Sequence, residues 1–162
     1  MIRELLSQDF DSILRVINHA AQAYKGVIPD DRWKEPYMSA KELKKQIDSG
    51  VEFLGLEQKG GIIGVMGIEH VKNVTLIRHA YVLTKYQRRG IGGKLLKYLM
   101  SLAKDPEILV GTWKAANWAI QFYEKHGFSL TSSKEKDRLL RKYWDIPERQ
   151  IETSVVLRFG RR

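Results

Sequence analysis

The feature that most constrains the fold of this chain is a glycine-rich turn between two apolar segments, at residues 87–93. A largely apolar run ending at Val82 precedes the turn. Apolar residues then recur with helical spacing, at Ile91, Leu95, Leu96, Leu99, Leu102 and Ala103. This pattern predicts a strand, a loop and a helix. Because the first turn of a helix has unpartnered N–H groups and the positive end of the helix dipole, the turn is predicted to bind an anion.

The chemistry of the turn favours a phosphate group. Gly90, Gly92 and Gly93 lack a Cβ atom, so the backbone can approach a phosphate closely. Three basic residues, Arg88, Arg89 and Lys94, surround the same point. A pyrophosphate would therefore be held mainly by main-chain groups, with positive charge around it.

Two segments of the chain resemble one protein family. Neither the dinucleotide fingerprint nor the P-loop motif is present. Instead, Gln87-Arg88-Arg89-Gly90-Ile91-Gly92 resembles the Q/R-x-x-G-x-G/A coenzyme A loop of the GNAT superfamily of N-acetyltransferases. The later segment from Asn117 to Phe128 resembles the signature that follows this loop in the same superfamily. A glycine-rich helix start without a ligand is the alternative interpretation of the turn.

The order of the predicted elements agrees with this resemblance. Strands are predicted at residues 51–57, 62–69 and 74–82, joined by short turns, and these form an antiparallel meander. The helix after the turn leads to a buried strand at residues 108–110, which gives a right-handed βαβ unit. The resemblance implies a single α/β (α+β) domain over residues 1–162. Its mixed sheet would have about six to seven strands, splayed at the centre and flanked by about four helices.

Composition excludes several classes of protein. The chain has 162 residues, 43% of them hydrophobic, which suits one domain with a substantial core. It contains no cysteine and only four scattered histidines, so no metal site is expected. The net charge of +9 favours anionic ligands, but the basic residues are dispersed, which disfavours a nucleic-acid site. No signal peptide or membrane-spanning run is found, so a cytoplasmic location without membrane contact is expected.

The resemblance implies acetyl-CoA as the cosubstrate. The loop from Gln87 to Gly93 would hold the pyrophosphate through the N–H groups of Arg89 to Gly92. Val82 and Thr84 match the strand end that faces the pantetheine, and the Val82 N–H would stabilise the oxyanion. Asn117 matches a position that reaches the coenzyme A chain. The implied cofactor-binding residues are Val82, Thr84, Gln87, Arg88, Arg89, Gly90, Ile91, Gly92, Gly93, Asn117 and Tyr123.

The resemblance implies a general acid but leaves the general base open. Tyr123 matches the tyrosine that protonates the departing thiolate, although packing of a helix face is the alternative role. The positions where the family often carries a base hold Arg78 and Leu76. His79 is one residue away and is a base candidate only if a β-bulge turns it. Glu69, His70 and Glu52 could instead act through water.

An aromatic linker at residues 24–38 is the predicted acceptor side of the site. Aromatic side chains in a loop either cover a core edge or line a pocket, and the sequence does not choose between the two. Tyr24, Trp33, Glu35 and Tyr37 are the predicted acceptor contacts. They would suit a cationic or partly apolar amine.

The sequence therefore predicts an N-acetyltransferase that uses acetyl-CoA. The acceptor would be a primary amine of a small molecule, a peptide N-terminus or a lysine, attacking directly in a ternary complex. A non-catalytic acetyl-CoA-binding module of the same fold is the alternative. The apolar segment at residues 143–147 suggests either a homodimer contact or a cap on the core.

Overall fold

Seven strands form one mixed sheet in the computed structural model, which describes residues 1–160. The strands lie in the order β1-β2-β3-β4-β5-β7-β6. Their bounds are β1 Ile2–Glu4, β2 Glu52–Gln58, β3 Gly61–Val71, β4 Val74–Val82, β5 Glu107–Trp113, β6 Ser129–Leu130 and β7 Ser154–Gly160. Strands β1 to β4 pair in antiparallel fashion, and β4 pairs with β5 in parallel. The antiparallel meander and the βαβ unit are thus confirmed.

Six helices flank this sheet within the described residues, more than the four or so that were expected. Their bounds are α1 Phe10–Ala20, α2 Ala40–Asp48, α3 Ile91–Leu102, α4 Asn117–Lys125, α5 Ser133–Tyr143 and α6 Glu148–Glu152. Ser39 caps α2, because its hydroxyl accepts the Glu42 N–H at 3.1 Å. Helix α6 is a short segment after Pro147 with one buried residue, so it has no apolar periodicity to reveal it. None of the helices described here is long and apolar enough to cross a membrane.

The two central parallel strands separate halfway along their length. Their paired register runs from Val74 beside Glu107 to Ile77 beside Val110 and then ends. Strand β4 continues to Val82 and β5 continues to Trp113, where it still pairs with β7. The predicted splay is therefore present, and it leaves a gap between the two strand ends.

A β-bulge lies on β4 beside this gap. Arg78 pairs with Gly67 of β3, and Tyr81 pairs with Val65. Three steps along β4 therefore match two steps along β3, so β4 holds one extra residue. His79 within the bulge has a φ of 53°. Such an insertion changes which face the following side chains occupy.

Helices α3 and α5 lie on opposite faces of the sheet. A Cβ atom on Gly64 would lie 3.1 Å from Ile91, so α3 covers the face on which Gly64 lies. Helix α5 packs on Leu76, which pairs with Glu69 of β3. Because side chains alternate along a strand, Glu69 lies on the opposite face of the sheet from Gly64. We call these the α3 face and the α5 face.

The apolar segment after α5 packs inside the chain. Tyr143 is buried in the cluster that covers the α5 face, and Trp144 and Ile146 pack against the same cluster. This packing accounts for the apolar character of residues 143–147 and supports the core-cap interpretation.

Candidate active site

The edge of β4 presents free backbone groups to the gap. The Leu83 N–H donates to the Ile63 carbonyl at 2.9 Å, so residue 83 directs its backbone groups towards β3. Because these groups alternate along a strand, the N–H and C=O of Val82 point the other way, into the gap. The Gln87 Nε2 group donates to the Val82 carbonyl at 3.1 Å. The Val82 N–H is thus aimed into the gap between β4 and β5.

The glycine-rich turn has the geometry of an anion site. Arg88 and Gly90 adopt left-handed conformations, with φ values of 65° and 76°. The Lys94 N–H is the first in the helix to find a backbone acceptor, at 3.0 Å from the Gly90 carbonyl. The N–H groups from residue 88 to residue 93 consequently have no acceptor within the described chain.

Unpaired positive charge surrounds this turn. Arg88, Arg89 and Lys94 are exposed, and none of them belongs to an ion pair recorded for residues 1–160. Thr84 and Asn117 are also exposed, each at the first residue of a helical turn near the gap. The arrangement suits a ligand with several negative charges.

Two of the three glycines in the turn have a packing role. A Cβ atom on Gly92 would lie 3.3 Å from the Phe122 ring, and one on Gly93 would lie 3.0 Å from His126 Nε2. Helix α4 therefore packs against the start of α3 at these glycines. Of these three glycines, only Gly90 combines a left-handed φ with open surroundings, so a phosphate could approach the backbone most closely there.

Tyr123 is buried in the main core, near the Tyr24 phenol. It is 4% exposed and makes edge-to-face contacts with Phe122 at 5.1 Å and Phe128 at 5.5 Å. Burial raises the pKa of Tyr123 above its usual range, and the nearby Tyr24 phenol adds to the rise. The hydroxyl therefore stays protonated and can serve only as a donor or a weak acid near neutral pH.

His79 makes specific contacts in the bulge. Its Nε2 atom is hydrogen-bonded to the side-chain oxygen of Gln46, and its ring stacks on Phe53 at 6.2 Å. Desolvation, followed by repulsion from the Arg78 charge, lowers the pKa of His79 to about 3. The neighbouring Arg78 donates to Glu69 at 2.8 Å. His79 is thus neutral at pH 7 and Arg78 is neutralised by an ion pair.

Aromatic side chains surround a cavity of about 110 Å³ on the α5 face at the gap. The Tyr81 hydroxyl interacts with those of Tyr24 and Tyr37. Tyr37 also accepts a hydrogen bond from the Trp113 indole at 2.8 Å. Within residues 1–160, no carboxylate lines this cavity, whose lining is Tyr24, Tyr37, Ile77, Arg78, His79, Tyr81, Gly111, Thr112, Trp113, Leu140, Trp144, Ile146, Gln150 and Ser154. We call it the acceptor cavity.

The predicted acceptor residues divide into two groups. Tyr24 and Tyr37 line the acceptor cavity, and Trp33 stacks on Tyr37 at 5.9 Å without lining it. The Glu35 side chain is 53% exposed, and its Oε1 atom lies 3.7 Å from Lys25 Nζ. The structure thus brings the two tyrosines together and leaves Glu35 at the surface.

The three other candidate bases also lie outside the acceptor cavity. Glu69 is engaged by Arg78, and His70 contacts Asp105 at 2.9 Å near the start of β4. Glu52 is exposed at the start of β2. None of the three lines the cavity.

Three aromatic residues near the cavity, Tyr81, Trp113 and Trp118, were not among the residues predicted from the sequence. Tyr81 and Trp113 line the cavity, and Trp118, 47% exposed, stacks on Tyr24 at 6.0 Å. Their positions gave the available signal: Trp113 ends β5, and Tyr81 is one residue before the end of β4. Among the residues that the structure describes, there is no cluster of three or more metal-ligating side chains.

A sheet splayed between parallel strands, with an anion-binding turn at the splay, defines the class of acyltransferases that the sequence resembles. The acetyltransferase (GNAT) domain profile matches residues 18–141. Because this match covers more than half of the chain, the chain belongs to the GNAT family and is an acyltransferase. No curated protein matches the sequence.

Solved structures with the same fold are similar over their whole length. The PaiA N-acetyltransferase of Thermoplasma acidophilum, in complex with coenzyme A, has a TM-score of 0.73 at 19% identity, covering 99% of this chain and 98% of that one. A GNAT-family acetyltransferase of Staphylococcus aureus has a TM-score of 0.76 at 17% identity, with 100% and 99% coverage. The ribosomal-protein-S18-alanine N-acetyltransferase of Escherichia coli has a TM-score of 0.70 at 16% identity, with 99% and 92% coverage.

Proposed function

We propose that this chain transfers the acetyl group of acetyl-CoA to a primary amine by direct attack in a ternary complex. The observation that carries the proposal is the gap between β4 and β5. It has the Val82 N–H on one edge, the anion-binding turn at one end and the acceptor cavity on the α5 face. A thioester in this gap would be reached by coenzyme A from the turn and by the amine from the cavity.

The backbone supplies the groups that bind the cosubstrate. N–H groups of the turn would hold the pyrophosphate, supported by the charges of Arg88 and Arg89. The pantetheine amides would pair with the free edge of β4 in the manner of an added strand. The Val82 N–H would donate to the thioester oxygen, a contact that strengthens as the tetrahedral intermediate gains charge. Such a donor contributes about 3 kcal/mol in acyl-transfer sites.

The side chains divide the remaining chemistry between them. Tyr123 would donate a hydrogen bond to the departing thiolate as the C–S bond breaks, and the released thiolate would take its proton from water. His79 is too weak a base to take a proton from an ammonium group, so we assign it to holding the bulge that orients Tyr81 and Val82. The acceptor would thus attack as the neutral amine, and its proton would leave to water. The sequence contains no cysteine, so a covalent acetyl-thioester on the enzyme is excluded.

Calorimetric titration and turnover together test the proposal. Acetyl-CoA should bind with micromolar affinity, and NADH should not. Mass spectrometry of a panel of amines should then detect acetylation of at least one member, with no thiol release in the absence of an amine. Binding without turnover of any amine would favour the non-catalytic module, and absence of binding would refute both.

A further inference from the structure

A second cavity, of about 530 Å³, lies at the β1 edge of the sheet. Its walls are the segment after β1, the start of α1, the end of α2 and the start of β2. We call it the edge groove. Strand β3 separates β2 from β4, so two strand spacings of about 4.8 Å each lie between the groove and the gap at β4. No residue within 1–160 lines both the edge groove and the acceptor cavity.

The floor and walls of the edge groove offer apolar surface to a ligand. Ile13 and Phe53 line it and are buried, each 2% exposed. Phe10 and Ile47 are half-buried, and Leu6 is 53% exposed. Water therefore reaches apolar side chains inside a concave site, and a ligand that covered them would gain from their burial. The volume of the groove is within the range of about 300–1,000 Å³ that is usual for small-molecule sites.

The charged side chains of the edge groove are mostly acidic. Glu4, Asp48 and Glu52 line it, and Lys44 is its one basic residue within the described chain. Lys44 Nζ lies 3.0 Å from the Asp48 carboxylate, so these two charges compensate each other. Glu4 and Glu52 are exposed, and neither belongs to an ion pair recorded for residues 1–160. Two uncompensated carboxylates thus line this groove, in a chain whose net charge is +9.

We propose that the edge groove is a binding site for an apolar ligand that carries an ammonium group. The alkyl or aryl part of the ligand would cover Leu6, Phe10 and Ile47, and its positive charge would lie beside Glu4 and Glu52. An uncharged ligand would gain nothing from the two carboxylates, and an anionic ligand would be repelled by them. The site goes beyond the proposed function, because binding there needs no acyl transfer and no coenzyme A.

Two probes with the same alkyl chain and opposite charges test this proposal. They are octyltrimethylammonium and octanoate, and neither has an amine N–H that could be acetylated. Calorimetric titration at low salt should show octyltrimethylammonium binding about tenfold or more tightly than octanoate. The net charge of the whole chain favours the opposite order, so a preference for the cation has to come from carboxylates close to the bound ligand.

Variants of the groove show whether this preference arises there. Glu4→Gln and Glu52→Gln should each reduce the preference about threefold, and the double variant should remove it. Leu6→Ser should weaken the binding of both probes, because it removes apolar surface from the groove. Glu124→Gln is the control, since it removes an exposed carboxylate on α4 outside the groove, and it should leave the preference unchanged.

Three results would overturn the proposal: absence of binding, equal or tighter binding of octanoate, and a preference for the cation that persists in the double variant. Binding and turnover of acetyl-CoA are measured separately. Their failure would count against the proposed function, whereas the charge preference and its loss in the variants decide the role of the edge groove.

Discussion

Replacing Tyr123 with phenylalanine is the most direct test of how the leaving group departs. The substitution removes one hydroxyl and keeps the ring that packs between Phe122 and Phe128. Burial keeps the pKa of Tyr123 above its usual range, whereas a thiol titrates near ~8.5. Complete proton transfer from the phenol to the thiolate would therefore run uphill. In the mechanism proposed above, the hydroxyl would therefore act by donating a hydrogen bond to the developing charge.

The size of the effect follows from the energy of this hydrogen bond. A hydrogen bond to a charged group contributes about 1.5–3 kcal/mol, and each ~1.4 kcal/mol changes a rate tenfold. Tyr123→Phe should therefore lower kcat by about 10- to 150-fold. Affinity for acetyl-CoA should stay nearly constant, because the contact forms only as the C–S bond breaks.

The assay follows thiol release at saturating acetyl-CoA, with the dissociation constant measured by titration. Tyr143→Phe is the matched control, since it also removes a buried tyrosine hydroxyl. Tyr143 lies on α5 outside the acceptor cavity, and its hydroxyl donates to the Asn73 side-chain oxygen at 2.8 Å. That variant should keep wild-type kcat. An unchanged kcat in Tyr123→Phe, or an equal loss in the control, would refute the reasoning.

Four further outcomes are expected. Gly90→Ala should cost about 1–2 kcal/mol of stability because of its left-handed φ and should weaken acetyl-CoA binding. Gly92→Ala should leave that affinity within about twofold, because the added Cβ would face the Phe122 ring at 3.3 Å; equal losses of affinity in the two glycine variants, measured by calorimetry, would contradict this. His79→Gln should retain the acidic limb of kcat/KM, and its disappearance would restore His79 as the base. Hydrogen bonds to the Asp105 carboxylate, the one with His70 being the largest cause, lower the pKa of Asp105. The ionised Asp105 therefore stabilises the folded protein above pH ~4, and this stabilisation is lost as pH falls. Asp105→Asn should flatten the corresponding fall of the thermal unfolding temperature at acid pH.

The sequence predicts the fold well because its signals are local. The meander, the βαβ unit and α3 each follow from the periodicity of apolar residues within one segment, and the turn before α3 follows from neighbouring glycines. The left-handed φ at Gly90 is a property of that turn alone. Such features need no knowledge of which segments meet in space.

The candidate site was only partly predictable because it depends on long-range contacts. The extra residue at His79 gives no signal in the composition of β4. It nevertheless alters the alternation of side chains between the two faces of the sheet, and so the face on which Tyr81 lies. The hydroxyl cluster joins Tyr24, Tyr37 and Tyr81 from a loop and a strand far apart in the chain. The sequence predicts that Gly92 faces a phosphate, whereas its neighbour in the structure is the Phe122 ring.

The titratable groups around the gap determine how pH should act on the reaction. The phenols of Tyr24, Tyr37 and Tyr81 have raised pKa values, mainly through burial, so they stay protonated. His79 stays neutral, and Arg78 is paired with Glu69. The lining of the cavity therefore offers no side chain that would change protonation state between pH 6 and 9. The acidic limb of kcat/KM should instead follow the amine pKa of the acceptor, moving when the acceptor is changed and not when His79 is replaced.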